Sequence, residues 1–120
     1  MKLDLIAGAR PNFMKISPII DALRNAQNLG KGISFRLIHT GQHFDKNMSD
    51  DFFSQLNIPF PDINLEAGSG TQAEQTGKIM IGYERLLSIE GTDLCMVVGD
   101  VTSTMSCAIV AKKCNIKVKM

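Results

Sequence analysis

Apolar residues arrive along this chain in two alternating rhythms: short, mostly apolar runs, and longer stretches in which they return every three or four positions. The run Leu3 to Ala7, stopped by Gly8, suits a buried strand at the centre of a sheet. Ser17-Pro18 then supplies an N-cap and first-turn pair, and Ile19, Ile20, Leu23 and Ala26 recur at helical spacing until Gly30. A proline at position 18 disfavours a helix already running from Pro11, so residues 11–16 are expected to form a separate turn, or the helix to kink. Ile33 to His39 reads as a second strand with Phe35, Leu37 and His39 on one face, and Met48, Phe52, Phe53 and Leu56 form a helical stripe. The two prolines of residues 57–62 impose a loop, and an extended piece is expected around Ile63 to Leu65.

After the break at Gly68-Ser69-Gly70, Thr71 and Glu74 match a capping box. The helix it opens should face inward through Thr76, Ile79, Met80, Tyr83, Leu86 and Leu87. Leu94 to Val98 is the third clear strand, Thr102-Ser103-Thr104 starts another helix, and Ile116-Lys117-Val118 begins a further strand. Strands alternating with helices predict an α/β fold: a doubly wound parallel sheet, Rossmann-like, with right-handed crossovers. There is no internal repeat or low-complexity segment, and 120 residues suit one domain, 1–120. A three-layer domain of this kind usually carries a further strand or helix, so the expectation is a fragment of a longer protein.

Composition narrows the partners. Apolar residues make up 44% of the chain and the formal charge is +1, with acids and bases interspersed. No basic stripe points to nucleic acid or to a membrane surface, while small phosphorylated ligands stay open. Cys95, Cys107 and Cys114 lack the paired spacing of a zinc site or a disulfide framework, which suggests packing residues in a reducing compartment. Asp4 interrupts any signal-peptide core and no apolar run reaches membrane-span length, so the expected location is the cytoplasm.

Chemistry is best placed after the strands, because ligands of open parallel sheets collect at their carboxyl ends. Arg10 offers a planar charged fork and Lys15 a compact point charge, and together they suit a diphosphate. The simpler account makes both exposed charges on an early turn. Gly99-Asp100-Val101-Thr102 places a carboxylate after a strand and a hydroxyl at a helix N-terminus, where Asp100 suits an acid, a base or a ribose clamp, or merely caps the helix. Gln42 and His43 follow the second strand, and His43 is the better candidate for phosphate or proton chemistry than His39, a strand residue satisfied within the fold. Gly68-Ser69-Gly70-Thr71-Gln72-Ala73 formally fits a dinucleotide fingerprint, but the half-polar residues before it do not suit the buried strand that motif needs. It reads as a flexible loop, with Gln75 a possible supporting group. Phosphate-loop, nucleophile-elbow and histidine-cluster metal motifs are all missing.

Four segments in order, Gly8-Ala9-Arg10-Pro11 with Met14-Lys15, Thr40-Gly41-Gln42-His43, Asn64-Leu65 with Gly68-Ser69-Gly70 and Ala73-Glu74-Gln75-Thr76, and Val98-Gly99-Asp100 with Thr102-Ser103-Thr104, give the chain its resemblance. It resembles the N-terminal part of the non-hydrolysing UDP-N-acetylglucosamine 2-epimerases over its whole length. The resemblance implies the first half of a two-domain GT-B fold, with the active site between the domains. It implies epimerisation at C2 with no metal or redox cofactor: UDP is eliminated to leave a 2-acetamidoglucal, then adds back on the opposite face. Arg10 and Lys15 match positions near the diphosphate and sugar, Asp100 an acid implicated in catalysis, and Gln42 and His43 a loop lining the cleft, with Thr102 of the matching Thr102-Ser103-Thr104 segment a further substrate-binding candidate. The substrate implied is UDP-N-acetylglucosamine. The missing partner is a C-terminal UDP-binding domain, with homodimers for the complete protein and no allosteric activation. Gln72 stands where related sequences often carry histidine, and the family's His-x-Glu-Ala-Gly segment lies beyond this chain. Isolated, such a domain should be inactive. Other readings of the same residues are a non-catalytic nucleotide-sugar-binding or assembly module, and a glycosyltransferase domain of the same architecture.

Overall fold

The computed structural model describes residues 1–8, 10–41, 54–57, 61–68, 70–99 and 102–119; within helices, the side chains of Arg10 and Ser103 lie outside the described part. Five strands form one parallel sheet in the order β3-β2-β1-β4-β5: β1 (Lys2–Ala7), β2 (Ser34–His39), β3 (Ile63–Asn64), β4 (Leu94–Val97) and β5 (Lys117–Lys119). Three helices are described: α1 (Arg10–Asn28), α2 (Gln72–Ile89) and α3 (Thr102–Lys113). The doubly wound α/β reading therefore holds.

Alternation along the central strand builds the two cores. Leu5 and Ala7 point to the layer of Phe13, Ile16 and Ile20 on α1, with Leu37 of β2. Ile6 points to the opposite layer, where Ile79 and Tyr83 of α2 meet Cys107, Val110 and Ala111 of α3. Because both faces of β1 are covered, residues 3–8 are all buried, as a continuous apolar run requires.

The polar exception in that run is Asp4, fully buried on the α2 side. It is the cross-strand partner of Arg36, whose Nε and Nη2 donate to its two carboxylate oxygens. The Tyr83 hydroxyl donates to Asp4 Oδ2 at 2.8 Å, and Arg36 Nη2 also donates to the Glu90 carbonyl at 2.8 Å, just past the last turn of α2. Asp4 thus fixes the register of β1 against β2 and fastens α2 to the sheet. Burial and the neighbouring Cys95 and Asp4 push the Tyr83 hydroxyl far above its usual range. Burial also pushes the Cys95 thiol up to about 11 and raises that of Cys107, so both are packing groups rather than nucleophiles.

Two expectations are corrected. Helix α1 starts at Arg10, well before Ser17, and carries Pro18 in its interior. The missing N–H of Pro18 deprives the Met14 carbonyl, and both residues are exposed, so water can serve that carbonyl while the Phe13, Ile16 and Ile20 stripe packs undisturbed. Ser17 is no N-cap; its Oγ donates to the Leu56 carbonyl at 2.8 Å, and Arg24 Nη1 donates to the Asn57 carbonyl at 2.7 Å. Second, Cys114 is exposed and lies past α3. Asn115, at φ 61°, terminates that helix with the Ile116 N–H reaching back to the Ala111 carbonyl at 2.8 Å.

Elsewhere the expected elements stand. The capping box at Thr71 and Glu74 is present in both directions, and the Thr71 N–H bond holds the Glu74 carboxyl below its ordinary range. Within α2, Ile79 and Tyr83 are buried while Thr76, Met80, Leu86 and Leu87 are half-buried. Of the helical stripe expected through Met48, Phe52, Phe53 and Leu56, the first three lie outside the described residues, and Leu56 packs on the α1 side.

Candidate functional site at the carboxyl edge of the sheet

Strand order reverses at β1. The chain goes from β1 outward to β2 and β3, then returns to the other side of β1 for β4 and β5. The exits of β1 and β4 are therefore neighbours that lead to helices on opposite faces, and the crevice between them is where open α/β sheets place ligands. The exit of β2 lies on the other flank of β1. Three of the four segments singled out in the sequence begin at these three exits.

The β1 exit is the better described. Gly8 leads into α1, whose first turn presents backbone N–H groups without helical partners. Asn12, in that turn, is 5% exposed, and its Oδ1 accepts from the Gly8 N–H at 3.1 Å. Arg10 is the first residue of α1 and Lys15 is an exposed residue later on the same helix. Phe13 of α1 stacks at a tilt on His39 at the end of β2, with ring centroids 5.4 Å apart, which accounts for His39 as a fold residue.

The β2 exit is tightly held. Beyond β3 the chain keeps pairing with it: the Leu65 N–H donates to the His39 carbonyl, the Ala67 N–H to Thr40 and the Gly68 N–H to Gly41, at 2.8, 3.0 and 2.8 Å. Gly41, at φ 76°, has no room for a side chain, since a Cβ there would lie 2.8 Å from the Glu66 nitrogen and closer still to Asn64 Oδ1. Gln42 and His43 follow directly in sequence and lie outside the described residues. The half-polar run before Gly68 forms only the two-residue edge strand β3, which removes the dinucleotide fingerprint as a reading. Gln75 Nε2 donates to the Gly68 carbonyl at 3.0 Å and so supports that loop.

At the β4 exit, Gly99 takes φ 84° and Asp100 follows it, outside the described residues. Thr102 opens α3, and its hydroxyl lies 3.3 Å from Gln72 Oε1 at the start of α2, so the N-terminal ends of α2 and α3 meet beside the crevice. Thr104 Oγ1 donates to the Val98 carbonyl at 2.8 Å, securing the turn from β4 into α3. Sequence reasoning gave no role to Asn12, and it left that of Gln72 open. A polar residue in an otherwise apolar helix stripe, beside Phe13 and Ile16, was the signal for Asn12.

The charged groups at the opposite, amino-terminal edge have a structural explanation. A cavity of about 370 Å³ there is lined by Lys2, Asp4, Arg36, Asp62 and Glu90, which are engaged with one another or with the backbone of β2. Among the described residues no group of three or more histidines, cysteines or carboxylates could hold a metal ion, and no helix is long and apolar enough to cross a membrane.

Comparison with known proteins fits this geometry. Residues 25–119 match the family model described as UDP-N-acetylglucosamine 2-epimerase. The protein of that name from Methanocaldococcus jannaschii is 45% identical over 118 residues, covering 98% of this chain and 31% of the relative. A Pseudomonas aeruginosa UDP-2,3-diacetamido-2,3-dideoxy-D-glucuronate 2-epimerase is 40% identical over 98% of this chain and 32% of its own length. The crystal structure of the M. jannaschii enzyme in complex with UDP-GlcNAc and UDP superposes with a TM-score of 0.88 at 45% identity, again over 98% of this chain and 31% of that one. The Neisseria meningitidis enzyme bound to UDP-GlcNAc gives 0.84 at 27% identity, over 98% and 30%. The chain thus spans about a third of the length of these relatives, and it belongs to the UDP-N-acetylglucosamine 2-epimerase family.

Proposed function

We propose that this chain is the first domain of a cytoplasmic two-domain enzyme of GT-B architecture that interconverts UDP-N-acetylglucosamine and UDP-N-acetylmannosamine. The observation that carries the reading is the switch point itself. In a chain of this family, the strand exits leading to Arg10 and Asp100 are adjacent at the carboxyl edge of the sheet. In the proposed reaction a base removes the C2 proton of the sugar, the C1–O bond breaks, and UDP departs with the electron pair. Protonation of the 2-acetamidoglucal at C2 from the other face and return of UDP to C1 complete the inversion.

Charge on the diphosphate grows as UDP leaves, so the largest contribution expected from this domain is electrostatic. Arg10 suits bidentate contact with a phosphate, Lys15 adds a point charge, and Thr102 offers a hydroxyl where the free N–H groups of α3 also favour an anion. Asp100 is assigned the proton transfer, with Gln42 and His43 lining the sugar side. A C-terminal UDP-binding domain supplies the other wall of the cleft, and the complete protein is a homodimer.

The test is solvent exchange. In D2O the complete two-domain protein should place deuterium at C2 of UDP-N-acetylglucosamine, and retention of the original hydrogen would refute elimination. Asp100→Asn should abolish turnover with the fold intact. Tight UDP binding by the 120-residue chain alone would instead favour an autonomous binding module. The P. aeruginosa relative supports a second substrate reading, a diacetamido uronate with the same reacting C2, and comparing kcat/KM for the two sugars separates them.

A further inference from the structure

The residue that joins the two sides of the switch point is Asn12. Its Oδ1 faces the Gly8 N–H, a group that can only donate, so the orientation of the side-chain amide is fixed and Nδ2 points the other way. There it meets Gly99: a Cβ on that residue would lie 3.0 Å from Asn12 Nδ2. One buried side chain therefore touches the last turn of the β1 exit and the last described residue of the β4 exit. The segment on one side leads to Arg10, and the segment on the other leads to Asp100.

Two features show that this is more than a helix cap. The bond to Gly8 alone would be satisfied by any short acceptor at the start of α1. The contact with Gly99 additionally requires a side chain of this length at position 12 and none at position 99, where the backbone already occupies the left-handed region at φ 84°. The β1–β4 ladder, paired as far as Ile6 and Val97, brings the two exits side by side, and the buried position of Asn12 leaves little room for its amide to turn between them.

We propose that Asn12 is a positioning residue of this site, setting the separation between the segment that carries the diphosphate-binding Arg10 and the segment that carries the proton-transferring Asp100. The inference rests on the epimerase reading above. Proton removal and departure of UDP must occur on one bound sugar, so a change in that separation impairs the chemical step more than ground-state binding.

Asn12→Asp is the decisive variant, because it keeps the volume and the acceptor for Gly8 but replaces the Nδ2 donor with a carboxylate oxygen facing Gly99. In the complete protein, assayed at a temperature where the variant remains folded by circular dichroism, kcat for UDP-N-acetylglucosamine should fall at least tenfold with KM changed less than threefold, although the buried carboxylate lowers the thermal midpoint. Asn12→Gln, which keeps the amide but not its length, should also lose kcat. Wild-type kcat in Asn12→Asp would overturn the role of Asn12, as would a loss of activity in both variants that merely follows a fall in thermal midpoint. Wild-type protein assayed alongside separates the two claims: absence of wild-type epimerisation refutes the reading of function, whereas an unimpaired variant beside an active wild type refutes only the positioning role.

Discussion

Replacing Arg36 with methionine tests how the sheet is held in register. Asp4 is fully buried and its charge is met by the two Arg36 donors and the Tyr83 hydroxyl, so Arg36→Met leaves a carboxylate with one hydrogen bond and no counter-charge. Methionine fills most of the vacated volume, which isolates the electrostatic loss. Removing one partner of a buried pair costs about 3–5 kcal/mol. The lost bond from Arg36 to the Glu90 carbonyl adds about 1 kcal/mol at most, since that carbonyl lies at an exposed helix end where water can replace the donor. Against a total stability of about 5–15 kcal/mol for a domain, the variant is expected to be severely weakened. Adding Asp4→Asn should recover a large part of the loss, because the orphaned charge disappears while an acceptor for Tyr83 remains. Equilibrium urea unfolding followed by circular dichroism measures both. A loss below about 1 kcal/mol for Arg36→Met, or no recovery in the double variant, would refute the claim that a desolvated Asp4 charge depends on Arg36.

Other consequences are as direct. Tyr83 is the chain's single tyrosine, and with its pKa raised above the ordinary 10.0 it favours the folded state below that pH and loses this contribution as pH rises toward the folded value. An ultraviolet titration should therefore show no tyrosinate until alkaline unfolding, and a transition near 10 in folded protein would contradict its burial. Gly41→Ala forces a Cβ against the Glu66 backbone at positive φ and should cost at least about 2 kcal/mol in urea unfolding; a neutral result would show that the β2 exit is not held as described. Thr71→Ala removes one arm of the capping box and should cost about 1 kcal/mol. Pro18→Ala should raise stability by about 1–3 kcal/mol, since alanine restores the bond to the Met14 carbonyl without disturbing the buried stripe.

Periodicity alone determined much of this protein. The runs at 3–7, 33–39 and 94–98 read as strands, the first of them as a buried central one, and the Thr71–Glu74 capping box located the start of α2 to the residue, because these signals arise from chain-local geometry. The likeness to nucleotide-sugar epimerases was legible for the same reason, since loop residues at strand ends lie close in sequence to the strands that present them. What tertiary structure decided was every feature that depends on a partner distant in the chain. Pro18 sits inside a helix because its face happens to look toward water, which no local rule at Ser17-Pro18 reveals. Asp4 argued only against a signal peptide until Arg36 and Tyr83, from a strand and a helix far along the sequence, closed around it. Asn12 had no role of its own in the stretch 11–16, which read as a turn or a kinked helix before Ser17. Only the return of the chain to the far side of β1 brings Gly99 against it, because sheet order is fixed by burying two faces at once and not by any single segment.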